Sequence, residues 1–214
     1  MTARREQPFR VAAAAVGWFG LVFQYWLIMI APLPMGPVGR TVYFFGYLTI
    51  LTNILAALAM TLPWAAPGSR AARFFLRPSV RTAITSYLIV VGVAFYLLIR
   101  PDLFPQARHI VSDVTLHYLV PALFLADWFL FVPRKALRPR QVIIWLAFPS
   151  AFGIYILLLG AVFDIYPYPF INAKVIGYWR MGGVIAVFAA GFGVVALTLV
   201  AIDRALAARG LRKD

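Results

Sequence analysis

The chain has 214 residues, 63% of them hydrophobic and only 13% charged, with a mean hydropathy of +0.86; a soluble domain carries about 25% charged residues, so a soluble globular protein is excluded. The net charge is +13, but the basic residues flank apolar runs and have no fold of their own, so they read as orientation signals and contacts to anionic lipid headgroups, not as a nucleic-acid surface. Cysteine is absent, which excludes disulfides, thiolate chemistry and cysteine-ligated metal.

Six apolar runs follow one another, each near the roughly 20 residues needed to cross a hydrocarbon core. They cover approximately Arg10–Ile30, Thr41–Leu62, Thr82–Ile99, Ser112–Val132, Val142–Phe163 and Met181–Ile202. Proline stands at or just beyond several ends (Pro63, Pro101, Pro133), where it disfavours helix in the residue before it. The runs are continuously apolar and not alternating, which argues against a β-barrel. The first run follows arginines, like a signal peptide, but it is long and has no clear small-x-small cleavage site, so it is expected to remain as a helix. The expected fold is all-α: a single domain over residues 1–214, a polytopic integral membrane protein of six transmembrane helices. Fifteen basic residues fall in the N-terminus, the second-to-third loop, the fourth-to-fifth loop and the C-terminus; the remaining five (Arg40, Arg100, Arg108, Lys174, Arg180) fall on the other side. By the positive-inside rule both termini are expected in the cytoplasm, with the chain in the plasma membrane. The glycines of the last run (Gly182, Gly183, Gly191, Gly193) are expected to permit close helix packing.

Within the second run the stretch YLTILTN, residues 47–53, places Thr49, Thr52 and Asn53 on one helix face. Thr49 lies fourteen residues before Pro63, about 21 Å from that end of the helix at 1.5 Å per residue. On the fourth run, which crosses in the same direction, His117 lies sixteen residues before Pro133, about 24 Å from the corresponding end. A hydroxyl and an imidazole thus arrive at one level, as a nucleophile and its base require. Asp113, one turn from His117, is expected to orient the imidazole. Pro121 removes the helical bond to the His117 carbonyl and should bend the helix there. Asn53 can donate to a ligand or an oxyanion, or fasten two helices. The aromatic segment Phe163–Arg180 is expected to cap the bundle on the side away from the termini. There Lys174 and Arg180 are candidates to attract a substrate carboxylate.

No cofactor is expected. His109 and His117, the only histidines, lie about 12 Å apart along a helix, too far for one haem iron, and Asp113 with His117 supplies only two of three zinc ligands. Asp113, His117 and Asp127 leave open a proton-coupled transporter of a small molecule or lipid.

YLTILTN, SDVTLHYLVP (residues 112–121) and YPYPF (residues 166–170) occur in the order found in the androgen-induced and androgen-dependent family of six-pass membrane hydrolases, which the chain resembles over its whole six-span plan. Gly46 stands where animal members carry lysine near the motif, and Asp113 where they tend to carry asparagine. The resemblance implies metal-independent hydrolysis of fatty acid esters of hydroxy fatty acids. It places a threonine nucleophile at Thr49 and the catalytic histidine at His117, with a lipid ester as substrate and membrane lipids as surroundings.

Overall fold

The computed structural model describes residues 3–99, 107–134 and 137–208. The expected charges at Arg100, Lys135, Arg209, Arg212 and Lys213, and Pro101, lie outside the described residues.

Six helices are long and apolar enough to cross a membrane: Glu6–Ile30, Leu48–Ala65, Pro78–Leu98, His109–Phe131, Gln141–Phe163 and Tyr178–Ala208, taken below as the first to sixth spans. The protein is an all-α, six-helix membrane protein. With no water in a hydrocarbon core, a helix satisfies its own backbone groups, and continuous runs of leucine, isoleucine, valine, phenylalanine and alanine permit it to stay there. Spans one to four form the tight part of the bundle. Ala13 and Ala14 of the first span, Ala56 and Ala59 of the second, Leu88 of the third and Phe124 of the fourth are buried together. A second cluster joins Tyr87, Trp128, Trp145 and Phe192 across spans three to six. Spans five and six are less enclosed, each with about a fifth of its apolar window buried.

Close approach by small residues occurs, but not where the sequence suggested it. A Cβ added at Gly182, Gly183, Gly191 or Gly193 would meet nothing within 4 Å, so the glycines of the sixth span mediate no helix contact. The contacts are in the first and third spans. A Cβ at Gly17 would sit 3.4 Å from that of Ala57, and one at Gly20 would sit 2.8 Å from Leu116 and Thr115 side-chain carbons. Periodicity within one helix does not reveal which small residues meet a neighbour.

Two expected flanking arginines are buried. Arg10, Arg81 and Asp127 converge from the first, third and fourth spans: Arg10 Nε donates to Asp127 Oδ1 at 2.9 Å and Arg81 Nε to Oδ2 at 2.8 Å. Arg81 also donates to the Ala59 carbonyl of the second span at 3.2 Å, and Glu6 pairs with Arg10 at 3.2 Å. Two cations and two carboxylates neutralise one another, as burial of charge requires.

Candidate active site

The second crossing is not one helix from Thr41. A short helix, Pro37–Phe45, stops at Gly46, Tyr47 is extended (φ −95°, ψ 123°), and a new helix runs Leu48–Ala65. The break has a packing cause. A Cβ at Gly46 would lie 2.6 Å from Pro167 Cγ, so the glycine lets the Tyr-Pro-Tyr-Pro-Phe segment press against the chain at this point. Thr49 therefore sits in the first turn of a helix, where main-chain N–H groups have no partner in the preceding turn. The Tyr47 carbonyl accepts from Ile50 and Leu51, at 3.0 and 3.3 Å. The Leu48 N–H donates to the Tyr168 hydroxyl at 3.0 Å. That hydroxyl also contacts the Thr49 side chain and backbone N–H. Burial pushes the Tyr168 phenol up to about 12, against the opposing pull of the Leu48 and Thr49 contacts.

Thr49 Oγ1 lies 3.3 Å from His117 Nε2. The two side chains matched by depth in the sequence do meet. His117 occupies a π-helical turn, Thr115–Leu119, in which the Val120 N–H reaches back to the Thr115 carbonyl. Pro121 supplies the reason: it cannot donate to the His117 carbonyl and its ring pushes that carbonyl away, and an extra residue in the turn absorbs the displacement. The displaced carbonyl points at the third span. A Cβ at Gly92 would lie 2.9 Å from it. Phe95, one turn further along the third span, stacks on the imidazole with ring centroids 3.7 Å apart and planes 13° from parallel. Gly92→Ala would force the third and fourth spans apart at the histidine. Such overpacking costs about 1–3 kcal/mol. The expected outcome is a lowered thermal unfolding midpoint in detergent together with weakened Thr49 labelling by a fluorophosphonate.

The imidazole is oriented by a different atom from the one expected. His117 Nδ1 is 3.1 Å from the main-chain carbonyl oxygen of Asp113, the residue one turn back. A carbonyl only accepts, so Nδ1 carries the proton and Nε2 of the neutral ring is left as the acceptor facing Thr49. The Asp113 carboxylate is not the group that meets the ring. Asn53 does not point a donor into the site. Its side-chain nitrogen donates to the Thr49 carbonyl at 2.8 Å and to the Leu116 carbonyl at 3.2 Å, which ties the second span to the fourth beside the pair.

Thr49, Tyr168 and Ser150 are the polar side chains on the wall of a largely apolar cavity. It encloses about 820 Å³ including its open mouth, between spans three, five and six. Val91, Phe95, Leu146, Gly153, Ile156, Ile185 and Phe192 are among its walls. Ile156 and Leu146 are ten residues apart on the fifth span, so the wall extends about 15 Å along the helix. Lys174 and Arg180 do not line it. Lys174 pairs with Asp164 at 2.7 Å on the exposed surface, and the Asp164 contact raises the Lys174 ammonium above its ordinary value. Arg180 is also exposed. Among the described residues, no three His, Asp or Glu side chains gather where a metal ion could be held.

Three neighbours of the pair were not legible as such: Gly92, Phe95 and Tyr168. Of these only Tyr168 carried a signal, its place in the aromatic-proline segment. Comparison with protein-family models, with curated proteins and with solved structures finds no match to this chain.

Proposed function

We propose that the protein is a membrane-embedded ester hydrolase acting on lipids, with Thr49 as nucleophile and His117 as general base. The observation that carries this reading is the 3.3 Å approach of Thr49 Oγ1 to His117 Nε2, with the other ring nitrogen against the Asp113 carbonyl and Thr49 on the wall of a largely apolar cavity. In the proposed reaction Thr49 Oγ1 attacks the ester carbonyl carbon while Nε2 takes the hydroxyl proton. The tetrahedral adduct collapses, the bond to the leaving alcohol breaks, and Nε2 returns the proton to that oxygen. Water then attacks the acyl-threonine by the same proton route and releases the acid. The distance is at the long end for a hydrogen bond, as is common before substrate binds. The resemblance to the threonine hydrolases of fatty acid esters of hydroxy fatty acids supports the same two residues, and that ester class is the first to test. The plasma membrane is the proposed location.

The largely apolar walls of the cavity suit an acyl chain. Transport coupled to protons, the competing reading, draws less support: Asp127 is held between Arg10 and Arg81.

The deciding experiment is a hydrolysis panel on purified protein, with lipid esters of differing chain length and branch position, beside Thr49→Ala. Wild-type turnover that disappears in Thr49→Ala supports the proposal. Equal turnover by both proteins rejects it. Gly153→Phe tests the acyl-chain assignment within the panel. Gly153 is on the cavity wall, and a benzyl group there occupies space the chain would need. Long-chain esters should lose ~10-fold or more in kcat/KM relative to short-chain esters, since each excluded methylene contact costs about 1–3 kcal/mol.

A further inference from the structure

Tyr168 bonds to the helix turn that carries the proposed nucleophile. Its ring is buried and held edge-on against Tyr47, with centroids 5.2 Å apart. It packs with Ile156, Leu159 and Ile171. The hydroxyl oxygen accepts from the Leu48 N–H at 3.0 Å and touches both the side chain and the N–H of Thr49. A phenol oxygen that accepts from main-chain N–H groups still has its own O–H to donate. Tyr168 and Thr49 line the same cavity, and the phenol is bonded to the residue next to Thr49. The Leu48 N–H donates to the Tyr168 oxygen at 3.0 Å, and on the next residue of the same turn Thr49 Oγ1 lies 3.3 Å from His117 Nε2.

We infer that Tyr168 is a further catalytic residue, whose hydroxyl donates to the ester carbonyl oxygen as that oxygen becomes the tetrahedral oxyanion. The inference rests on Thr49 being the nucleophile. When Thr49 Oγ1 bonds to the carbonyl carbon, the carbonyl electron pair moves to its oxygen, and His117 Nε2 takes the threonine proton. The new anion is one bond from the carbon now attached to Oγ1, and the phenol, on the wall of the same cavity and fixed to the adjoining Leu48 N–H, turns its free O–H to it. The proton remains on the phenol, and the bond breaks when the adduct collapses. The Leu48 N–H polarises the donor by drawing on the phenol oxygen. Such donors, fixed in a water-poor site, stabilise developing charge far better than water does.

The test uses full-length protein in detergent or vesicles and compares wild type, Tyr168→Phe and Thr49→Ala with the best substrate of the ester panel. Tyr168→Phe keeps the ring and removes only the hydroxyl. The expected result is a fall in kcat of ~100-fold or more, as for loss of one oxyanion donor, with KM little changed. The rate of Thr49 labelling by a fluorophosphonate, which passes through a similar charged adduct, should fall in parallel. Wild-type kcat and labelling in Tyr168→Phe overturn the inference. If Thr49→Ala is inactive in that case, the nucleophile assignment survives; if Thr49→Ala is active, the nucleophile assignment fails as well. A hydroxyl that only caps the helix would lower the unfolding midpoint and leave kcat per folded molecule intact, which also overturns it. Should Tyr168→Phe not fold, 3,5-difluorotyrosine at position 168 keeps the size of the ring and acidifies the phenol. An alkaline limb of kcat moved to lower pH supports donation by Tyr168, and an unmoved limb overturns it.

Discussion

Thr49→Ala should lower kcat for lipid-ester hydrolysis by ~10⁴-fold or more, the scale on which removal of a nucleophile or its base acts in hydrolases. The effect is specific to the hydroxyl. Thr49 is almost fully buried, and its main-chain carbonyl is engaged by Asn53, a contact that alanine retains. Thr49→Ser should keep part of the activity, because the oxygen remains. His117→Ala should match Thr49→Ala, and the double variant should be little worse than either, since two residues that act in one step lose their effect together. A serine-directed fluorophosphonate should label wild type at Thr49 and fail on Thr49→Ala. The Asp113 contact sharpens the set. The oxygen that receives the His117 Nδ1 proton is main-chain, so Asp113→Asn retains it and should leave kcat near that of wild type. A well-folded Thr49→Ala protein with wild-type turnover would remove the threonine mechanism.

How much of this was legible in the sequence depends on the range of the interaction. The six spans were, because twenty apolar residues in a row determine a crossing without reference to any neighbour. The meeting of Thr49 with His117 was legible too, because parallel crossings convert sequence position into depth and polar groups avoid lipid. The break at Gly46 and Tyr47 was not. No helix-breaking proline marks it, and its cause, Pro167, lies more than a hundred residues away. The same holds for the orientation of His117. A carboxylate one turn away is visible in a string of letters, whereas the carbonyl of the same residue is present everywhere and becomes informative only when the ring is seen to face it. Arg81 read as a loop charge because it precedes the apolar run by one residue; its burial follows from Asp127 on another helix, to which it bonds at 2.8 Å.

Asp127→Ala should be the most destabilising single change in the bundle. The Asp127 side chain is wholly inaccessible, and those of Arg10 and Arg81 are 8% and 2% exposed. One carboxylate receives both guanidinium groups, so its removal leaves two cations with Glu6 as the other carboxylate paired to the cluster among the described residues. Arg81 cannot easily leave. Its guanidinium lies 5.2 Å over the Phe124 ring and bonds the Ala59 carbonyl. Breaking a buried pair by deleting one partner costs about 3–5 kcal/mol. A midpoint well below that of wild type, in thermal or denaturant unfolding in detergent, is the expected measurement. Replacing the set together, as Arg10→Met, Arg81→Met and Asp127→Leu, should restore much of the loss, because apolar side chains of similar volume need no desolvation repaid. The site gives the experiment a second readout. Asp127 is ten residues from His117 along the fourth span, about 15 Å by helical rise, so the triple variant should keep Thr49 labelling. An Asp127→Ala protein as stable as wild type would mean that the two arginines find other partners, and the cluster would then not be what holds the first, third and fourth spans together.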